Sequence, residues 1–385
     1  MSDPLLITGW HPAGGSDGGP SALLVRRGRI AWTGPATAAP VAENVLDAGG
    51  RTLIPGLIDV HVHGAGGADV MDGTVESLDA MARTLASLGT TAFLGTATVL
   101  PDGRNDHLRV AAAATGRRPA GAELLGLHLE GPFINPARVG GLPPECVWPP
   151  TPAAVDDILA VTDAALRMIT LAPELDGGLD AVRRFAAAGV IPSLGHSDAT
   201  CEEASAGIVA GIPHVTHLYN AMRGFHHREP GPLVAIHEAE HVTVQIVSDD
   251  VHVGRDAVRW TSRIFGTHRC VTVTDGIRTT GLPDGTYEFG GRTFISEGGT
   301  ARRGDGALIG TSLPLLEIVR RFRDYTGCSL AEAVATATAV PARLLGLADR
   351  KGGLAVNMDA DLVLLDADGS VHATLVAGEV VHRAA

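Results

Sequence analysis

The chain has 385 residues, 45% of them hydrophobic, and its 43 acidic against 30 basic side chains leave a formal charge of −13. A field of that sign repels phosphate backbones and anionic membrane surfaces, so neither nucleic acid nor a lipid surface is expected as the main partner, and any anionic ligand must be caught locally. The length is too great for one small domain and suits one large barrel with an accessory piece.

The opening "MSDPLLITGW" has Asp3 and Pro4 where a secretory leader carries basic residues, and no later run approaches the roughly 20 apolar residues of a spanning helix. A cytoplasmic protein is expected. Residues 1–55 contain a Gly/Pro-rich loop, "HPAGGSDGGP", and then two short alternating runs around an Arg-Gly turn in "ALLVRRGRIAWTG". From 57 to 275, β-rich runs alternate with stretches of helical period, the pattern of a parallel α/β fold. Eight strands are predicted, at 57–62, 91–97, 124–129, 167–172, 190–195, 214–218, 242–248 and 270–275.

Between them, 74–89 carries Val75, Leu78, Met81, Leu85 and Leu88 at three- and four-residue spacing, and 151–165 opens on a threonine cap followed by proline. A hairpin at 285–294 and helices at about 312–326 and 329–345 follow the eighth strand. Residues 352–385 return to alternation, with an Asp-Gly hairpin signal at Asp368 and Gly369. The expected fold class is therefore α/β, a (β/α)8 TIM barrel over 56–351 beside a small β-sandwich domain formed by both termini, 1–55 and 352–385.

Two residue counts exclude whole chemistries. Cys146, Cys201, Cys270 and Cys328 lie far apart with no CxxC, so neither a zinc knuckle nor a disulfide framework is indicated. Lys351 is the only lysine, in a polar "DRKGG" turn, which removes a Walker loop, a Schiff-base lysine or a lysine-bridged metal pair from the body of the chain.

The polar residues left at strand ends form a pattern. His61 and His63 are two apart on the first strand, so both imidazoles aim at one spot. Glu130 follows the third strand, His196 the fifth, His217 ends the sixth and Asp275 the eighth. In a barrel those carboxyl ends converge on one mouth. Imidazoles with a carboxylate there suit a divalent ion of the zinc or iron kind with an open position, and a separate carboxylate can take a proton from water. His128 shares the face of Glu130 and reads equally as a ligand or as a residue that orients the carboxylate. His214, His226, His227, His237 and His241 are expected on the surface or in loops.

In this order, "PGLIDVHVHG", "HLEGPF", "GHSDAT", "THLYNAM", "REPG" and "VTDG" resemble the N-acetylglucosamine-6-phosphate deacetylases of the amidohydrolase superfamily, over essentially the whole chain. The resemblance implies that Glu130, His196 and His217 hold the principal divalent metal and that Asp275 activates water and then protonates the leaving amine. It implies that His61 and His63 hold a second metal, giving one or two ions per subunit. Asn220, the backbone at Ala221, Arg228 and His252 are implied around the phosphorylated end of an N-acetyl amino sugar phosphate. Arg228 would be lent across a homodimer. The implied reaction releases acetate and glucosamine-6-phosphate.

Three positions depart from the family pattern: Leu142 for a histidine or glutamine, Asp250 for glycine and Gly276 for alanine. All three are expected in the substrate-facing layer, where they leave another N-acyl amino sugar phosphate as an alternative substrate. A different amidohydrolase, such as a cyclic amidase or a deaminase, and a catalytically silent barrel are the remaining rivals. The cyclic amidases are disfavoured by the missing lysine, and the silent barrel by the intact ligand set.

Overall fold

The computed structural model describes residues 4–15, 21–101, 103–118, 120–289 and 291–384. Residues 16–20 of the Gly/Pro-rich loop lie outside that set. All eight expected barrel strands form, as Leu57–Val62, Thr90–Ala97, Glu123–Glu130, Leu166–Leu171, Ile191–Leu194, His214–Val215, Thr243–Ile246 and Cys270–Thr272. Each is parallel to its neighbours, in chain order. The sixth and eighth strands stop earlier than expected, because the backbone turns left-handed at His217 (φ 26°) and at Asp275 (φ 49°) and leaves the ladder.

Closure is made just beyond the eighth strand. Val62 bridges Gly276, the Asp275 N–H donates to the His61 carbonyl at 3.0 Å, and the His63 N–H donates to the Gly276 carbonyl at 2.7 Å. The seam that closes the barrel thus sets the first and eighth strand ends side by side.

The first barrel helix, Val75–Ser87, starts where the Thr74 hydroxyl accepts the Ser77 N–H at 3.2 Å, and it buries Leu78, Met81 and Leu85. Pro152–Thr162 begins after Thr151 in the same way. The expected hairpin after the eighth strand is larger than the sequence indicated. Gly285–Phe289 and Arg292–Glu297 are extended by Thr300–Arg303 and Leu308–Thr311 into a four-stranded antiparallel sheet.

The chain ends meet in one eight-stranded sheet, with Thr52–Pro55 pairing antiparallel to Leu362–Leu365. Ile7, Leu23, Ile30, Leu53, Leu362 and Leu375, from both arms of that sheet, share one core. The Asp-Gly turn is present, with Gly369 at φ 82° between Leu362–Leu365 and Val371–Val376.

Lys351 lies in the turn that the sequence indicated, but it is buried there, with Nζ 2.5 Å from Asp361, 2.9 Å from Glu123 and 3.4 Å from Asp359. Burial opposes its charge, but Asp361 and Glu123 outweigh that cost and raise its pKa. The ammonium therefore ties the start of the third barrel strand to the carboxyl-terminal segment. His214, expected on the surface or in a loop, is a correction: it is wholly buried, with Nδ1 2.7 Å from the Thr243 hydroxyl, because the sixth strand points it into the barrel wall. Burial, then the nearby His61, pull its pKa down to about 3, against the raising effect of the Thr243 bond.

Lys351→Met should lower unfolding stability by about 3–5 kcal/mol in urea titrations, since it strands buried carboxylates without their cation. For His214 the unfolded chain binds a proton between pH 6.5 and 3 that the folded chain refuses, so stability is lost as pH falls through that window. His214→Gln should remove about 2 kcal/mol of the loss between pH 7 and 5, read from urea midpoints at both values. An unchanged acid loss would assign it to other groups.

Candidate active site

The strand ends deliver six side chains to one mouth. His61 is fully buried and His63 half-buried, and their Nε2 atoms lie 3.3 and 3.5 Å from the same Asp275 oxygen. They also face Glu130, at 3.6 and 3.4 Å. Glu130, at the tip of the third strand, has Oε1 3.1 Å from His196 Nε2 and 3.0 Å from His217 Nε2, with those two nitrogens 3.0 Å apart. The backbone at His196 (φ 49°), His217 and Asp275 is left-handed, a conformation that costs a non-glycine residue energy and that gathers where function over-determines the geometry.

Neighbouring groups hold these side chains. His196 Nδ1 donates to the Arg138 carbonyl at 2.8 Å. Glu174 accepts from the Ser197 hydroxyl and the Asp198 N–H, each at 2.7 Å, which fixes the turn carrying His196. Asp198 is in turn paired with Arg138 and Arg223. His128 is not placed as a ligand: Nδ1 lies 3.2 Å from the Thr96 hydroxyl and Nε2 2.8 Å from that of Thr170, while its ring packs edge-on beneath His61. Burial first, and then His61, push its pKa well below the ordinary value, so it stays neutral.

His196 spends its Nδ1 proton on a carbonyl, so its neutral form turns a lone pair on Nε2 toward a carboxylate oxygen, acceptor against acceptor. The buried His61 Nε2 has no hydrogen-bond partner. Either protons or a cation must sit among such atoms. Two groups have the compactness a metal ion needs, Glu130 with His196 and His217, and His61 with His63 and Asp275. Burial penalises the charged Glu130 and Asp275, yet the surrounding histidines outweigh it and hold both carboxyls well below their usual range. The same balance, with burial opposing, pushes His63 up to about 10 and raises His196. The residues fit a divalent cation of the zinc or iron kind, which would replace those protons.

Above the cluster opens a cavity of about 690 Å³. Asn220, Ala221 and His252 line it. Asp249 was missed by sequence reasoning: its carboxylate accepts the His252 N–H at 2.7 Å and meets Nδ1 at 2.6 Å, fixing that ring beside Asp275. Burial opposes charge on His252, but Asp249 and Asp275 raise its pKa. Phe289, Arg292, Phe294 and Arg303 of the four-stranded sheet also line the cavity. The hairpin was legible in the sequence, but nothing marked it as facing a site.

Arg228 is not brought to the cavity. It is exposed on a loop, its guanidinium 2.8 Å from His227. Of the three departures, only Leu142 lines the cavity. Asp250 is exposed, with a left-handed backbone (φ 71°), and accepts the Arg255 N–H at 2.9 Å, so it serves the start of the helix Arg255–Phe265. Gly276 is buried in the closure seam, where an added Cβ would lie 2.6 Å from the Thr280 hydroxyl and 2.8 Å from that of Thr274.

Glu130→Gln removes the charged oxygen shared by His196 and His217. Metal affinity, measured by dialysis and elemental analysis, should fall by at least about 100-fold, the upper end of what losing a mere supporting partner costs. Unchanged metal content would remove Glu130 from the ligand set.

Comparison with known proteins places this site. The model of the Amidohydrolase family matches residues 52–381. The N-acetylglucosamine-6-phosphate deacetylase of Bacillus subtilis (strain 168) is 36% identical over 345 residues, covering 89% of this chain and 87% of that protein. The N-acetylgalactosamine-6-phosphate deacetylase of Escherichia coli O157:H7 is 34% identical over 353 residues, 91% of this chain and 93% of that one. A solved Mycobacterium smegmatis N-acetyl-D-glucosamine-6-phosphate deacetylase mutant, in complex with N-acetyl-D-glucosamine-6-phosphate, superposes with a TM-score of 0.88 at 33% identity, over 99% of this chain and 100% of that chain. The chain belongs to the amidohydrolase family, in the group of the N-acetylglucosamine-6-phosphate deacetylases.

Proposed function

We propose that this chain hydrolyses the N-acetyl group of N-acetylglucosamine-6-phosphate, giving glucosamine-6-phosphate and acetate. The observation that carries the reading is the placement of Asp275, whose oxygens face both His61 and His63 on one side and His252 on the other, at the floor of the cavity. Glu130, His196 and His217 would hold one divalent ion, zinc or iron, and His61 and His63 with Asp275 a second. When bound, such an ion polarises the amide carbonyl and makes water nucleophilic at neutral pH.

The remaining work belongs to the protein. Asp275, kept ionised, accepts the proton of the attacking water and delivers it to nitrogen as the C–N bond breaks, which turns a poor leaving group into a neutral amine. His252, held by Asp249, and Asn220 with the Ala221 backbone orient the phosphorylated end of the sugar. Arg228, exposed in the single chain, is suited to reach the site of a second copy, which makes a homodimer part of the reading. Among the described residues no helix is long and apolar enough to cross a membrane.

Acetate release should be strong from N-acetylglucosamine-6-phosphate and weak from unphosphorylated N-acetylglucosamine, with N-acetylgalactosamine-6-phosphate alongside because one relative bears that name. Asp275→Asn should lower turnover by at least about 10²-fold. Near-normal turnover in that variant, or no release from any of these sugars by metal-loaded protein, would sink the reading.

A further inference from the structure

Beneath the cluster, in the seventh barrel strand, lies a side chain that the mechanism above does not use. Gln245 is fully buried, with Oε1 2.9 Å from His61 Nδ1 and 3.2 Å from the backbone N of His217. Its Nε2 points at the Met168 sulfur, 3.8 Å away. The orientation of the amide is decided by its neighbours. Reversed, it would set its NH2 against the His217 N–H, donor against donor, and its oxygen against a thioether, acceptor against acceptor.

An amide oxygen only accepts. His61 must therefore carry a proton on Nδ1, and its neutral form turns a lone pair on Nε2, the buried atom that has no hydrogen-bond partner, toward Asp275 and Glu130. Among the described residues no hydrogen bond holds the Nδ1 of His63 in the same way, so of the strand-one pair only His61 is anchored from behind. The one oxygen of Gln245 also reaches the backbone of His217, a member of the Glu130 group. Each of the two three-residue groups thus has one member bonded to the same buried atom.

We propose that Gln245 is the positioning residue that makes His61, His63 and Asp275 a true second cation position, by fixing the Nδ1–H form and the ring orientation of His61. This rests on reading the cluster as a metal site, and it goes beyond that reading by naming what decides whether one ion or two are held. Through the His217 backbone, the same side chain keeps the second position in register with the first.

The test is zinc binding to metal-stripped protein, with ions per chain from elemental analysis after dialysis and affinities from competition with a chelator. Wild type should take two ions. Gln245→Leu should take one firmly, with the second weakened by at least about 10-fold. Gln245→Glu, which retains an acceptor, should still take two. If the Leu variant does not fold, Gln245→Asn, which withdraws the oxygen by one methylene, carries the same expectation. Nitrogen shifts of labelled histidine in the metal-free protein supply a second readout: His61 should report Nδ1–H in wild type and lose that signature in the Leu or Asn variant.

A wild type that never exceeds one ion overturns the proposal, as does a Leu or Asn variant that holds two at unchanged affinity. Equal weakening of both ions would show a general structural effect and would also overturn it. Ion counts do not depend on which amide is cleaved. A chain that binds zinc in the expected pattern yet releases no acetate refutes the deacetylase reading and leaves the role of Gln245 standing.

Discussion

Two carboxylates and four imidazoles, most of them buried, share the floor of the cavity, and the rest of the structure depends on keeping their charges balanced. Glu130 and Asp275 cannot be buried as anions alone, and His61, His63, His196 and His217 cannot all be buried as cations. In each pairing the neighbours outweigh burial and hold the carboxyls ionised. The cluster is thus a frame for positive charge, whether carried by protons or by a divalent ion, and the two compete for the same lone pairs.

That balance needs rigid supports, and the barrel supplies them from behind. The closure seam joins the backbone of His61 to Asp275 directly, so the strand that brings the imidazoles and the turn that brings the carboxylate cannot drift apart. Gln245, the Thr96 and Thr170 hydroxyls around His128, and Glu174 under the His196 turn occupy the layer beneath. Further out, Lys351 fastens the sheet of the chain ends to the start of the strand that carries Glu130. The only lysine of the chain is thereby spent on architecture, consistent with a chemistry that asks for no amine.

The cavity lining is mixed in character. It includes Asn220, Ala221 and the Asp249-anchored His252, groups suited to an anionic oxygen cluster. It also includes Leu142 and the Phe289 and Phe294 rings with Arg292 and Arg303. The overall charge of −13 makes such local cations necessary for any phosphorylated ligand, since the general field opposes its approach.

The sequence by itself determined the barrel and the identity of the six clustered side chains. Strand patterning is local, and residues at strand ends are forced together by the one way eight parallel strands close. His61 and His63 were legible because alternation on a strand is a two-residue rule, and Asp275 because it ends an apolar run. Only the tertiary structure decided what depends on contacts distant in the chain. His214 read as a surface or loop residue, and nothing in the turn around Lys351 announced its burial, because polarity is visible in a sequence while burial among partners is not; Glu123, far from Lys351 in sequence, is what makes its burial tolerable. The withdrawal of Asp250 and Gly276 from the cavity, the approach of the four-stranded sheet to it, and the hydrogen bond between Gln245 and His61 across 184 positions likewise belong to the folded chain. A side chain's orientation is set by packing between elements, and no local pattern encodes it.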